Sequence, residues 1–162
     1  MFDALTAAGF QAYEISNFAL PGFEAVHNRN YWLQKPFLGI GPSAHGFDGK
    51  SIRWENTPSN AVYLKDLESG KLSEKIEEMS FSSLANEFIL TRLRMMEGLP
   101  LPLFREKFGL SLEKIREREV RKALDSGYLF QENDALKLSR EGRLMADYIA
   151  LELLTRDEDF IG

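Results

Sequence analysis

From Phe81 onward the apolar residues fall at helical spacing. Phe81, Leu84, Ala85, Phe88, Ile89, Leu93 and Met96 follow the i, i+3, i+4, i+7 rule. One amphipathic helix is expected there, capped by Ser82 or Ser83 and ended by Gly98. A short helix is expected over Leu101–Phe108, stopped by Gly109. Ser111 caps a third helix carrying Leu112, Ile115, Val120, Ala123 and Leu124, stopped by Gly127. Residues 128–131 and 135–138 flank a turn at Asn133-Asp134 and read as a hairpin. Ser139 then caps a last helix with Leu144, Met145, Tyr148 and Ile149. Helix, short helix, helix, hairpin, helix is a winged-helix-like order.

The first 75 residues are less periodic. Residues 1–8 read as the last turns of a helix, with Phe2 and Leu5 on one face and Gly9 as the stop. Residues 10–16 form a short strand candidate, and Pro21-Gly22 marks a turn. Residues 37–41 are continuously apolar, as expected for a strand covered on both faces. Residues 45–54 read as a hairpin turning at Asp48-Gly49, and Thr57-Pro58-Ser59 starts a helix that Gly70 ends. The acidic, polar stretch 71–80 is expected to be a linker. The expectation is therefore α+β, with a first domain over 1–75 and a mostly helical second domain over 76–162.

Composition narrows the function. The chain has 162 residues, 44% hydrophobic and 28% charged, which is ordinary for a folded protein of one or two small cores. It contains no cysteine, which removes disulfides, thiolate metal sites and cysteine-held iron–sulfur clusters from this chain. A cysteine-free acidic chain fits a reducing cytoplasm. No apolar run is long enough for a transmembrane segment, and the N-terminus lacks the basic and apolar regions of a secretory signal.

The net charge of −5 argues against nucleic acid as a partner. Over residues 111–125, five basic side chains face four acidic ones, leaving +1 on what would be a recognition helix. From Phe81 to the end there are 13 basic and 15 acidic side chains, so the phosphate-binding excess is missing. The mixed charges read better as a solvated helix face.

The densest chemistry lies in His27-Asn28-Arg29-Asn30-Tyr31-Trp32, between two strand-like runs. An imidazole, two amides, a guanidinium, a phenol and an indole in six residues compose a ligand-contacting loop. A neutral His27 is a good axial haem ligand, and Tyr31 is a second candidate. Trp32 could stack on a porphyrin, and Arg29, Lys35 and Arg53 could pair with its propionates. Core filling is the competing role for Tyr31 and Trp32, and a carbonyl-satisfied loop position is the competing role for His27 and His45, the two histidines of the chain. Gly39, Gly41 and Gly46 bracket a strand end and would allow close approach of a ligand or simply a tight turn. Glu14, Ser16 and Asn17 stand at the end of the first strand, where α/β barrels place ligand contacts.

Taken together, YEISNFA at 13–19, PGFE at 21–24, His27-Asn28-x-x-Tyr31-Trp32, FLGIGPSAHGF at 37–47 and RWEN at 53–56 resemble one family closely. They are similar to the radical S-adenosylmethionine proteins related to oxygen-independent coproporphyrinogen III oxidase. The His-Asn-x-x-Tyr-Trp element resembles the haem-chaperone branch more than the true oxidases. EFILTRLRMMEGL at 87–99, LFREKFG at 103–109 and LSREGRL at 138–144 are similar to the family's C-terminal domain.

The resemblance implies a C-terminal piece of a partial TIM-like radical-SAM barrel over 1–75, then the C-terminal domain. It implies that the parent carries a 4Fe-4S cluster and S-adenosylmethionine, held by a CxxxCxxC motif this chain lacks, so the chain alone is expected to be inactive as a radical enzyme. The function it implies is haem binding at His27, Asn28, Arg29, Tyr31 and Trp32 and transfer to haem-accepting proteins, with Gly39 and Gly41 bordering the nucleoside. The alternatives are a fragment of a true coproporphyrinogen III oxidase and a winged-helix interaction module. A barrel piece also leaves open sheet edges, from which a dimer is expected.

Overall fold

The computed structural model describes residues 2–72 and 74–160. Its fold is α+β, and every strand pair among the described residues is antiparallel. It divides into two compact units, residues 1–33 together with 81–162, and residues 34–80.

The first unit is built around α4 (Phe81–Arg94). Its apolar positions bury Ala85, Phe88, Ile89 and Leu93 at 0 to 1% exposure. That face packs on α5 (Leu101–Phe108) and α9 (Ala146–Glu152). Phe88, Phe104 and Phe108 form an aromatic cluster with ring centroids 5.0 to 6.0 Å apart. Truncating a ring buried this completely costs about 3–5 kcal/mol.

Gly98 ends the α4 segment at φ +79, and a methyl group there would stand 2.5 Å from the Leu136 carbonyl oxygen. Both the backbone angle and the close strand explain the glycine. The strand is β8 (Ala135–Leu138), the middle of a three-stranded sheet. It pairs with β6 (Leu99–Pro100) on one side and β7 (Leu129–Glu132) on the other. Asn133 and Asp134 both take positive φ, as a two-residue primed turn requires.

Two helices expected as single elements are each broken in two. The third becomes α6 (Leu112–Ile115) and α7 (Glu117–Asp125), interrupted where Arg116 adopts φ −126. The break lets the Arg116 guanidinium reach back. Its Nε donates to the Leu154 carbonyl at 2.8 Å, and its two terminal nitrogens grip both Asp159 oxygens at 3.2 and 2.6 Å. The last helix becomes α8 (Arg140–Leu144) and α9, joined at Met145, with the Ser139 hydroxyl capping α8 through the Gly142 N–H.

The N-terminal segment opens with α1 (Phe2–Ala7). The expected strand over 10–16 is reduced to β1 (Gln11–Ala12), which pairs with β2 (Phe18–Ala19) around a turn at 13–17. The His27 stretch, expected as a loop, is a helix, α2 (Val26–Trp32).

The second unit is a meander with a helix. β3 (His45–Phe47) and β4 (Ile52–Asn56) form the expected hairpin, with Asp48 Oδ1 accepting the Lys50 and Ile52 N–H groups. α3 (Asn60–Glu68) starts where expected, capped by Ser59. Two expectations are overturned. The stretch read as a linker contains β5 (Glu74–Glu78), paired with β4 along five residues. Residues 37–41 are not a covered strand. Phe37 makes one bridge to Phe47, while Leu38 and Ile40 are 72% and 83% exposed.

The Arg116–Asp159 clasp has a pH signature. Burial pushes the Asp159 carboxyl up. The hydrogen bonds from Arg116 and the Arg156 N–H, with both positive charges, outweigh this and hold it below its ordinary value of 3.8. A depressed carboxyl stabilises the fold above the unfolded pKa and loses that contribution as pH falls through the folded value. In urea unfolding from pH 7 down through that region, Asp159→Asn is expected to start less stable and lose less stability below pH 3.8 than the parent chain.

Candidate functional site

Tyr13, Glu14 and Ile15 lie along the end of helix α4. The Ile15 N–H donates to the Arg94 carbonyl at 3.0 Å, the Met96 N–H donates to the Tyr13 carbonyl at 3.2 Å, and Glu14 bridges Met95. This antiparallel seam turns the Glu14 side chain inward, where it is 0% exposed. Its Oε1 accepts the Ser16 N–H at 2.8 Å and the Asn17 side-chain amide at 2.5 Å. Its Oε2 faces Arg94 Nε at 3.9 Å. Glu14 is therefore tied into the turn by the Ser16 N–H and the Asn17 amide, while Ser16 and Asn17 themselves are exposed.

Two side chains of the seam hold helix α2. The Tyr13 hydroxyl accepts from the Asn28 amide at 3.1 Å. The Arg94 guanidinium lies 5.2 Å from the centre of the Trp32 ring, a cation–π distance, and its Nη1 reaches Asp147 at 3.4 Å. A third tie is the ion pair between Arg29 and Glu97. Arg92 sits nearby, over the Phe88 ring at 5.1 Å. Burial pushes its guanidinium below the usual value; Glu97 opposes the shift and Arg29 adds to it.

Helix α2 thus has two sides of different use. With about 100° per residue, Asn28, Trp32 and Arg29 share one side, and all three are engaged by unit-one partners. His27, Asn30, Tyr31 and Val26 share the other. His27 is exposed, Tyr31 is 40% exposed and Val26 72%. The His27 and Tyr31 rings meet edge to face, centroids 4.7 Å apart at 81°. Phe23, just before the helix, is 79% exposed. The helix presents an imidazole and a phenol beside the exposed Val26, a chemistry suited to a flat, apolar, metal-bearing ligand.

The five residues read as haem contacts are thus brought together, but in two roles. His27 and Tyr31 face outward, whereas Asn28, Arg29 and Trp32 fasten the helix. Lys35, Arg53, Gly39 and Gly41 belong to the other compact unit. There the Arg53 guanidinium lies over the Phe47 ring at 5.2 Å. A methyl group on Gly39 would meet the His45 carbonyl oxygen at 2.1 Å, so close backbone packing explains that glycine. Gly41 takes φ +105 with open space beside it; its N–H donates to the Tyr63 hydroxyl and its carbonyl accepts from the buried Asn56 amide. Among the described residues no group of three or more His, Cys, Asp or Glu side chains is placed to hold a metal ion. No helix among them is long and apolar enough to cross a membrane.

Sequence reasoning missed Tyr13, Arg94 and Glu97. Arg94 and Glu97 sit where a helical run ends, and nothing in that run distinguishes an anchor from a solvated charge. Glu14→Ala removes one of the two carboxylates beside Arg94 and the acceptor of the Ser16 N–H and the Asn17 amide, and unfolding in urea should show a loss of about 1–2 kcal/mol. Glu14→Gln, which keeps an acceptor for Ser16 and Asn17, should lose less.

Comparison with known proteins follows the same lines. The HemN C-terminal domain model matches residues 83–145. Proteins named haem chaperone HemW are similar to nearly the whole chain. The Mycobacterium tuberculosis protein is 37% identical over 152 residues, covering 93% of this chain and 36% of its own length. The Escherichia coli K12 protein is 33% identical over 153 residues, covering 92% and 39%. The Lactococcus lactis protein is 29% identical over 160 residues, covering 99% and 42%. The chain spans about two fifths of the length of these curated relatives. Among solved structures, the coproporphyrinogen III oxidase HemN of Escherichia coli, described as a radical SAM enzyme, shares the fold with TM-score 0.71. It is 15% identical, covering 95% of this chain and 39% of that one. By these matches the chain is similar to the C-terminal part of the radical S-adenosylmethionine proteins related to oxygen-independent coproporphyrinogen III oxidase, and its relatives at 33 and 37% identity carry the name haem chaperone.

Proposed function

We propose that this chain is the part of a cytoplasmic haem chaperone that holds haem, with the His27 imidazole as iron ligand, and passes it to haem-requiring proteins. The observation that carries the reading is the two-sided helix α2. Asn28, Arg29 and Trp32 are spent on fixing it, and His27 with Tyr31 is what it presents. The relatives named haem chaperone support the same assignment. Nothing in the geometry favours propionate decarboxylation or nucleic-acid binding over it.

The 4Fe-4S cluster does not fit this chain, which has no cysteine to ligate iron. Cluster chemistry and S-adenosylmethionine cleavage are therefore assigned to the remainder of a longer parent. In that parent residues 1–75 would close a radical-SAM barrel, Gly41 and Gly39 would border the nucleoside, and residues 76–162 would form the winged-helix-like domain. Dimerisation through open strand edges is part of the same reading. The exposed edge strand β5, with three glutamates and one lysine in five residues, is poorly suited to carry it.

Haemin titration followed in the Soret region tests the assignment. The chain is expected to shift the haemin band and His27→Ala to lose that shift, with unchanged far-ultraviolet circular dichroism because His27 supports no other element. An identical Soret shift in His27→Ala would remove the imidazole from this role.

A further inference from the structure

We infer that haem held on helix α2 is ligated from one side only, by His27, and that the opposite axial position stays open to an imidazole from another molecule. The inference rests on the reading that His27 binds the iron and goes beyond it, to the coordination state.

His27 and Tyr31 are four residues apart, so their side chains leave the same side of the helix. Their rings are already in edge-to-face contact, 4.7 Å between centroids. Two ligands trans on one iron must have the iron and its macrocycle between them, each donor roughly 2 Å from the metal as in other imidazole complexes. Neighbours one helical turn apart with touching rings leave no gap for that plane. Tyr31 is therefore not the second axial ligand. It is a positioning residue, its edge setting the plane of the imidazole.

The other side of the helix cannot supply a ligand either. Asn28 is bonded to Tyr13, Arg29 to Glu97, and Trp32 lies against Arg94. Two exposed apolar side chains stand close to His27 along the chain. Phe23 and Val26 are 79% and 72% exposed within four residues of it, and burying such surface against a macrocycle is favourable. The apolar rim and His27 would cover one haem face and leave the other facing away from the helix.

An open axial position makes release a simple ligand exchange. The incoming imidazole nitrogen donates its lone pair to iron at the open position. The iron–His27 bond then breaks, and its electron pair returns to the His27 nitrogen. Iron keeps its oxidation state, and no proton need move while both imidazoles are neutral.

The test uses the chain with ferrous haem at a dilution where light scattering shows a monomer, read by absorption and resonance Raman spectroscopy. A five-coordinate spectrum is expected, and added free imidazole should bind one per haem to give a six-coordinate form. Tyr31→Phe should keep the five-coordinate state, and Phe23→Ala should weaken uptake of metal-free protoporphyrin IX, which His27→Ala should not. A six-coordinate spectrum in the dilute monomer without added imidazole overturns the inference, whichever of Tyr31→Phe or His45→Ala restores the five-coordinate form. Unchanged protoporphyrin uptake in Phe23→Ala removes the apolar rim. If His27→Ala binds ferrous haem with the parent spectrum, the assignment of the site itself falls, and the one-sided geometry falls with it.

Discussion

The seam between residues 13–15 and the end of helix α4 is the constraint on which the site depends. Two backbone hydrogen bonds zip Tyr13, Glu14 and Ile15 onto Arg94, Met95 and Met96. The geometry then dictates where the side chains go. Glu14 turns in and must be compensated, because an unpaired buried carboxylate would cost several kcal/mol. Ser16, Asn17 and Arg94 supply the compensation. Arg94 lies over the Trp32 ring, and Tyr13 presents its hydroxyl to Asn28. One buried charge thereby organises a helix that contains no buried residue of its own.

Helix α2 lacks the apolar stripe that normally docks a short helix, and at seven residues it is too short to be stable alone. It is kept by a hydrogen bond, an ion pair and a cation–π contact on one side. The other side carries the exposed His27 imidazole, with Val26 and Tyr31 beside it. Spacing explains the division, since Asn28 and Trp32 are one turn apart, and so are His27 and Tyr31. The His-Asn-x-x-Tyr-Trp pattern is two interleaved pairs, one that fastens and one that is presented.

What could be read from the sequence was what local physics decides. Leu101–Phe108 with its glycine stop, the Asn133-Asp134 turn, the Asp48-Gly49 hairpin and the Ser59 cap are each set by neighbours within a few residues. The misread elements are those set by distant partners. Helix α2 looked like a loop because its stabilising partners, Tyr13, Arg94 and Glu97, lie up to 68 residues away. Residues 37–41 looked like a covered strand because apolar runs usually are, yet Gly39 packs its backbone on His45 and Leu38 and Ile40 stay exposed. β5 was hidden because five exposed residues, mostly charged, carry no burial pattern. The candidate site residues stand out in the sequence as a group by their unusual chemistry. Their separation into anchors and presented groups does not, because it depends on which side of the helix meets Arg94.

Amide hydrogen exchange at residues 26–33, compared between the parent chain and Trp32→Ala, tests the account most directly. It predicts that the Arg29 and Leu33 amides, which bond the Ala25 and Arg29 carbonyls, lose protection in the variant while α4, α5 and α9 keep theirs. Unchanged protection of helix α2 without the Trp32 ring would contradict the claim that this anchored side is what holds His27 in place.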